Sequence, residues 1–311
     1  MGTGVFLDVE TMGGDISLAP ISSLFNQWQQ YQQTSSAQII ERCQSADVVI
    51  VNKVVLDASI LKNLPQLKFI AVAATGMNNI DLDCAHQLGI KVVNVQGYAA
   101  PAVAQHCFNL LLQLAGRSRQ YSQFIANDSW QKSSYFCNLD YPMMELNGKI
   151  FGVVGYGSLG QAAAKIAQAF GMKILVGERP KASTVREGRV SFEQLLMQSD
   201  VLSLHCPLSE DNALMIDKRA LDKMKPSALL INTSRGGLVD EPALVAALSN
   251  NQIAGAALDV LSQEPPVDGN VLLDYKQPNL IITPHIAWAT VEARTRCVAM
   301  LSENIKEVFV S

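Results

Sequence analysis

Residues 149–170 read KIFGVVGYGSLGQAAAKIAQAF, and the fold is decided here. The apolar run Ile150 to Val154 passes directly into Gly155, Gly157 and Gly160, in G-x-G-x-x-G spacing, and then into the helix-forming sequence QAAAKIAQAF. In such a strand–turn–helix setting the first glycine permits a tight turn and the second lets backbone approach a pyrophosphate. The third lets the helix pack closely on the strand. The helix start, at Ser158 and Leu159, adds unpaired N–H groups and the positive end of the helix dipole. Three spaced glycines alone would indicate only a turn; in this setting they point to a dinucleotide.

Outward from this stretch, short runs rich in Val, Ile and Leu alternate with helical segments, as buried parallel strands do. Downstream, strands are expected at Lys173 to Val176, Val201 to Leu204, Ala228 to Asn232, Gly255 to Asp259 and Leu280 to Thr283, making six with the first. Glu178 follows the second of these, eighteen residues beyond Gly160, where an acid accepts hydrogen bonds from the adenosine ribose of NAD. Its neighbour Arg179 leaves NADP open, through contact with a 2′-phosphate. Upstream, strands are expected at Val5 to Asp8, Val48 to Val51, Phe69 to Ala73 and Lys91 to Val95. Helices are expected at Ser36 to Ser45, Asp57 to Leu64 and Asp81 to Leu88. Asp57 and Asp81 suit N-caps and Gly89 a left-handed helix end. A helix from Pro101 to Leu114, apolar on most sides, reads as a buried bridge between larger bodies. Residues 127–147 mix aromatics without a period and read as irregular, and an amphipathic stretch, Thr290 to Phe309, is expected to return to the first domain.

A chain of 311 residues exceeds what one compact core usually holds, so two domains are expected. With 49% hydrophobic and 17% charged residues it should fold throughout. A net charge of -4, with no run of five like charges, gives no reason to approach nucleic acid or an anionic membrane. The acidic start MGTGVFLDVE does not resemble a signal peptide, and no 18-residue apolar run occurs, so a cytoplasmic protein is expected. Cys43, Cys84, Cys107, Cys137, Cys206 and Cys297 stand singly, which suggests reduced thiols and no metal site.

Polar groups cluster where strands end. Ligands of open parallel sheets bind beyond the carboxyl ends of strands, so His205-Cys206-Pro207, Asn232-Thr233-Ser234-Arg235, Asp259, Glu264 and Thr283-Pro284-His285 can converge on one crevice. Hydride reduction of a ketone needs a proton for the developing alkoxide, and an imidazole such as His285 suits that task. Glu264 would orient the ring, since a carboxylate favours an adjacent charged imidazolium. Arg235 carries a permanent planar cation that can hold a substrate carboxylate and polarise its carbonyl. Singly, each could be an ordinary loop or surface residue; together, at the strand ends of one domain, they make a chemically complete trio. His86, His106 and His205 lack that setting and read as structural or peripheral.

The segments VVGYGSLG, AATGMNNIDL, HCPLSEDNALMI, LLINTSRGGLVDEPALVAAL, GAALDVLSQEPP and ITPHIAWAT, in this order, resemble the D-isomer-specific 2-hydroxyacid dehydrogenase family over nearly the whole chain. GERPKAS, the aromatic stretch Tyr135 to Tyr141 and the HIAW ending most resemble its glycerate dehydrogenases, or hydroxypyruvate reductases. The resemblance implies an α/β fold of two Rossmann-like domains with parallel sheets, a dinucleotide-binding domain over 99–287 inserted into a discontinuous substrate-binding domain, 1–98 and 288–311, with a cleft between them. It implies Arg235, Glu264 and His285 as the catalytic positions. It places the substrate carboxylate on backbone near Thr75 and Gly76 and on the loop of Asn52, Lys53 and Val54. Asp259 would hold the nicotinamide carboxamide, while Ser158, Leu159, Cys206, Pro207 and Thr233 line the cofactor path. It also implies a homodimer, with Trp288 approaching the partner.

Two residues depart from the family pattern: Gln105 stands where many members have glutamate, and Glu178 replaces the commoner aspartate. Formate dehydrogenases pair the histidine with glutamine, so Glu264 argues against that activity. The expected activity is reduction of hydroxypyruvate, with glyoxylate, by NADH. Lactate, phosphoglycerate or a bulkier acid as substrate, and a dinucleotide-sensing binding protein, stay open from sequence.

Overall fold

A computed structural model of the chain describes residues 2–310. The backbone divides into two compact α/β units, one holding the chain up to Ala99 and again from Ala289, the other Ala100–Trp288. In the first, β1 (Thr3–Phe6), β2 (Gln27–Gln30), β3 (Val48–Val51), β4 (Phe69–Val72) and β5 (Lys91–Val93) form a parallel sheet in the order β2-β1-β3-β4-β5. Strands β1, β3 and β4 are buried along their whole length, which is why they read as unbroken apolar runs. Around them lie α1 (Ala19–Ser22), α2 (Ser36–Cys43), α3 (Ala58–Leu61) and α4 (Leu82–Gln87). The Asp57 carboxylate accepts the Ile60 amide at 3.0 Å and Asp81 that of Cys84 at 2.9 Å, and Gly89 has φ +72°. Each such cap contributes about 1 kcal/mol.

Strand β2, QWQQ, has no apolar alternation and escaped the sequence reading. It is an edge strand, aligned by backbone pairing of Gln27–Gln30 with Thr3–Phe6, and backbone pairing leaves little side-chain signature.

In the first sheet the chain reverses its winding between β1 and β3, the place where open α/β sheets leave a crevice at their carboxyl ends. Asp8 fills it. Its buried carboxylate accepts the amides of Asn52 (2.9 Å), Lys53 (2.6 Å) and Val54 (3.0 Å).

The second unit contains α5 (Ala100–Ala115), α6 (Ser118–Ala126), β6 (Ile150–Val154), α7 (Ser158–Ala169), β7 (Lys173–Gly177), α8 (Phe192–Gln198), β8 (Val201–Leu204), α9 (Lys218–Leu221), β9 (Leu229–Asn232), α10 (Glu241–Ser249), β10 (Gly255–Leu258), α11 (Val271–Asp274) and β11 (Leu280–Ile282). Its parallel sheet runs β11-β10-β9-β8-β6-β7, and a bridge from Gly177 to Val190 adds a remnant of a further strand beyond β7. The winding reverses between β6 and β8, so the glycine turn after β6 and His205-Cys206-Pro207 after β8 flank one crevice. Helix α5, read as a bridge, packs into this unit's own core: Leu110, Leu111 and Leu114 join Phe151, Ile231 and Ile281. Residues 127–147 contain no helix or strand.

The last helix, α12 (Val291–Val310), returns to the first unit. Arg294 donates to the Met12 carbonyl at 2.7 Å and to Asp15 at 2.8 Å, Ser302 to Pro20 at 2.7 Å and Asn304 to Asn94 at 2.8 Å. Among the described residues no helix is long and apolar enough to cross a membrane, and no cluster of His, Cys, Asp or Glu could hold a metal.

An unsatisfied buried donor costs about 1–3 kcal/mol. Asp8→Ala, which strips the acceptor from three amides, should therefore lower stability by several kcal/mol and visibly depress the Tm; an unchanged melting curve would show that the 52–54 loop does not depend on Asp8.

Candidate active site

The glycine turn is shaped by what surrounds it. Gly155 has φ +89°, and a Cβ there would lie 2.6 Å from the Cys206 amide nitrogen. At Gly160 a Cβ would lie 2.1 Å from the Gly155 carbonyl oxygen, so that glycine allows α7 to close on the turn. Gly157 differs: its φ is -83°, and a Cβ would meet nothing within 4 Å. Space is left over its backbone just where α7 presents its first amides. Tyr156, Gly157 and Ser158 are exposed and Leu159 half-buried.

Across the crevice, His205 is buried with Nε2 2.9 Å from Ser203 Oγ, and its Nδ1 has no partner. Burial pushes its pKa down to about 4, so it stays neutral and supplies no proton at neutral pH. Burial likewise pushes the half-buried Cys206 thiol up to about 11, too high for a thiolate nucleophile. Pro207 is exposed beside it. Thr233 Oγ1, after β9, is buried without a partner. Open space over Gly157, free helix amides and this orphaned hydroxyl are the features a phosphate-bearing dinucleotide would use.

The trio follows three adjacent strands, β9, β10 and β11. Arg235 donates from Nη1 to the Ser234 carbonyl at 2.7 Å, and among the described residues no carboxylate pairs with it. Gly236, next to it, packs so closely that a Cβ would lie 1.9 Å from the Leu261 carbonyl carbon. That fixes the Arg235 turn against the segment carrying Glu264. His285 Nδ1 lies 2.7 Å from Glu264 Oε2, and Glu264 Oε1 accepts the Leu261 amide at 2.9 Å. Burial works to raise the Glu264 pKa, but the hydrogen bonds from His285 and Leu261 prevail and hold it below the usual value. Both side chains of the pair are one-third exposed (33% each), so the ring reaches solvent while Nδ1 is occupied.

Asp259, expected to meet a nicotinamide carboxamide, has both oxygens engaged within the protein and is only 1% exposed. Oδ1 accepts the Ile286 amide at 3.0 Å and Oδ2 that of Ala287 at 2.7 Å, and the Thr283 hydroxyl also donates to Oδ1. Its carbonyl accepts the His285 amide at 2.7 Å. His106 joins from α5, with Nε2 3.0 Å from Thr283 Oγ1 and 3.4 Å from Asp259 Oδ1. His106 lacks a site setting in the sequence because it lies far from residue 259 along the chain, and only packing unites them. Burial raises the Asp259 pKa, while His106, Thr283 and the two amides bring it below the ordinary value.

Glu178 is also not a free acceptor. It is buried, with Arg186 bound across both carboxylate oxygens at 2.6 Å each and the Arg179 amide at 3.0 Å from Oε1. In the first unit, the amides of Asn52, Lys53 and Val54 donate to Asp8, so this loop does not offer backbone donors to a substrate carboxylate as expected. Asn52 also donates from its side chain to Thr11 at 3.0 Å. Thr75 donates its hydroxyl to the Val95 carbonyl at 2.8 Å, whereas the Gly76 amide has no acceptor among the described residues. Asp8 carries no sequence signal beyond its place at the end of the expected strand Val5 to Asp8, which the structure ends at Phe6.

Residues 108–287 match the family profile of the D-isomer specific 2-hydroxyacid dehydrogenase NAD-binding domain. The chain belongs to that family. This dehydrogenase is 43% identical to a glycerate dehydrogenase of Methylorubrum extorquens, the match covering 99% of this chain and 96% of that one. It is 38% identical to a hydroxypyruvate reductase of Blautia hydrogenotrophica, over 88% of this chain and 85% of the other. Among solved structures, D-lactate dehydrogenase from Aquifex aeolicus, complexed with NAD and lactic acid, superposes with a TM-score of 0.80 at 27% identity, covering 99% of this chain and 95% of that one. The protein is thus an NAD-binding oxidoreductase of glycerate dehydrogenase-like type, with parallel-sheet Rossmann-like domains.

Because a Cβ at Gly157 meets empty space and its backbone is unstrained, Gly157→Ala should leave the Tm unchanged. The same methyl would stand where backbone must approach phosphate, and dinucleotide affinity should fall about tenfold or more. Unaltered affinity, measured by fluorescence titration, would remove this turn from the binding site.

Proposed function

We propose that this dehydrogenase reduces hydroxypyruvate, and glyoxylate as its smaller analogue, to the D-2-hydroxy acid, with His285 as proton donor and Arg235 as carboxylate holder. The observation that carries the reading is the 2.7 Å contact of His285 Nδ1 with Glu264, after two strands that continue the sheet from the one preceding Arg235, an arginine that pairs with no carboxylate among the described residues. Identity to a named glycerate dehydrogenase and a named hydroxypyruvate reductase over most of the chain supports the substrate class.

Gly155, Gly157, Ser158, Leu159 and Gly160 would hold the pyrophosphate, with Cys206, Pro207 and Thr233 along the path to the nicotinamide. When bound, the reduced nicotinamide supplies the hydride for the carbonyl carbon. Glu264 occupies Nδ1 and fixes the ring, which leaves His285 Nε2 to give its proton to the developing alkoxide. Arg235 offers a planar fork to the substrate carboxylate and carbonyl oxygen, stabilising charge as it forms. Asp259 acts through backbone, holding the turn that presents His285. Within the first unit taken by itself, Gly76 beside Thr75 keeps a backbone donor suited to a carboxylate, whereas the 52–54 amides are taken by Asp8.

The homodimer that the family resemblance implies extends the proposal to a dimer. Tyr135 and Phe136 are 78% and 89% exposed, with Leu139 and Met143 also exposed nearby, an apolar face suited to a second copy. Light scattering after size-exclusion chromatography should give the mass of two chains; a monomer at micromolar concentration would remove this part.

A steady-state screen against hydroxypyruvate, glyoxylate, pyruvate and phosphohydroxypyruvate should give the highest kcat/KM with hydroxypyruvate. Arg235→Ala and His285→Ala should each lower turnover by about two to four orders of magnitude while dinucleotide still binds. Normal turnover in either variant would reject the role given to that residue, and a preference for another acid would reject the substrate.

A further inference from the structure

The acid after the second strand of a dinucleotide-binding sheet normally accepts the two adenosine ribose hydroxyls, and a free carboxylate there also repels a 2′-phosphate. Glu178 occupies that place at the end of β7 but is built differently. The loop 179–189 folds back on it: the Glu178 amide donates to the Val190 carbonyl at 2.8 Å and the Val190 amide to Val176 at 2.9 Å. Four donors then converge on the carboxylate. Oε1 receives the Arg179 amide at 3.0 Å and Arg186 Nη2 at 2.6 Å; Oε2 receives Arg186 Nε at 2.6 Å and the Arg186 amide at 3.5 Å. An ionised carboxylate offers about four lone-pair sites, so little capacity is left for ribose hydroxyls.

Charge points the same way. The bidentate guanidinium cancels the Glu178 charge, and Arg189 Nε adds a further cation 4.0 Å from Oε2. The Arg186 side chain is 56% exposed, so its outer edge faces solvent while the inner edge is held by Glu178. Arg179 is exposed, and among the described residues its guanidinium has no partner. Between Glu178 and Arg189 the chain carries Arg179, Lys181, Arg186 and Arg189 against Glu178 and Glu187. The rim is therefore cationic at the place where NAD and NADP differ.

We propose that the crevice edge after β7 is a 2′-phosphate subsite: Arg186 and Arg179 take the phosphate on the adenosine ribose, Glu178 is the positioning residue that presents Arg186, and NADPH binds at least as tightly as NADH. This rests on the reading of the Ala100–Trp288 unit as dinucleotide-binding and goes beyond it in naming the selected dinucleotide and the residues that select it. Two charge-assisted arginine contacts to phosphate are the gain, and loss of ribose hydrogen bonds to Glu178 is the corresponding loss for NADH.

The test is equilibrium binding, followed by the fluorescence of the bound reduced dinucleotide, with no substrate present. In the wild type the Kd for NADPH should equal or fall below that for NADH, and adenosine 2′,5′-bisphosphate should displace bound NADPH at lower concentration than 5′-AMP. Arg186→Ala should raise the NADPH Kd about tenfold or more, while the NADH Kd holds or falls because Glu178 is released to the ribose. Glu178→Gln should weaken NADPH less than Arg186→Ala does. Tighter binding of NADH by the wild type, equal displacement by the two adenosine nucleotides, or an Arg186→Ala variant that shifts both Kd values by the same factor would each overturn the proposal. If neither dinucleotide binds, it is the reading of the unit as a dinucleotide site that fails.

Discussion

The buried carboxylate of Asp259 governs the geometry of the candidate site. His285 has φ +55°, a left-handed conformation that costs a residue with a Cβ on the order of 1–3 kcal/mol. The amides that follow it, from Ile286 and Ala287, end on the two Asp259 oxygens, and its own amide ends on the Asp259 carbonyl. Hydrogen bonds to a charged acceptor contribute about 1.5–3 kcal/mol each, enough together to hold the turn in its strained form. Thr283 and His106 complete the shell, without which burial would favour the protonated acid. The imidazole is therefore aimed by its backbone before Glu264 fixes the ring.

The same device recurs at other strand ends. Asp8 gathers the 52–54 loop after β3, and Glu178 gathers the 179–189 loop after β7. Glu241, at the start of α10, accepts the Ser262 amide at 2.7 Å and the Asn270 side chain at 2.9 Å, which secures both sides of the segment carrying Glu264. A buried carboxylate is costly unless several donors reach it, and that requirement makes it an effective anchor: the loop must bring its donors to one point. Among the described residues, the anchored loops leave the outer nitrogen of His285 without an internal partner and Arg235 with the Ser234 carbonyl but no carboxylate. A candidate site built this way separates the acids that shape loops from the groups left available to a ligand.

The strands and the glycine turn were legible in the chain because burial on both faces gives continuous apolar runs, and because Gly155 and Gly160 occupy positions where any Cβ would strike backbone. The Glu264–His285 pair was legible through chemistry: an imidazole and a carboxylate after neighbouring strands have a recognisable purpose. Strand β2 was not, since its pairing with β1 is made by backbone and its side chains QWQQ are largely exposed. Asp8, His106 and Gly236 were missed for a related reason: each acts on residues distant in sequence, with Asp8 and Asn52 separated by 44 positions.

What the chain determined by itself was the apolar strands and most of the longer helices, the glycine turn and the residue types of the candidate trio, all of them properties of local pattern and side-chain chemistry. Tertiary structure alone decided which acids are available. Glu178 reads as a ligand-facing acceptor and is filled by protein donors, Asp259 is met by protein donors on both oxygens though Oδ2 accepts a single amide, and the 52–54 amides read as open and are taken. The physical reason is that a carboxylate's remaining hydrogen-bonding capacity depends on which donors folding brings within 3 Å of it, and those donors come from loops and helices whose approach is not written beside the acid.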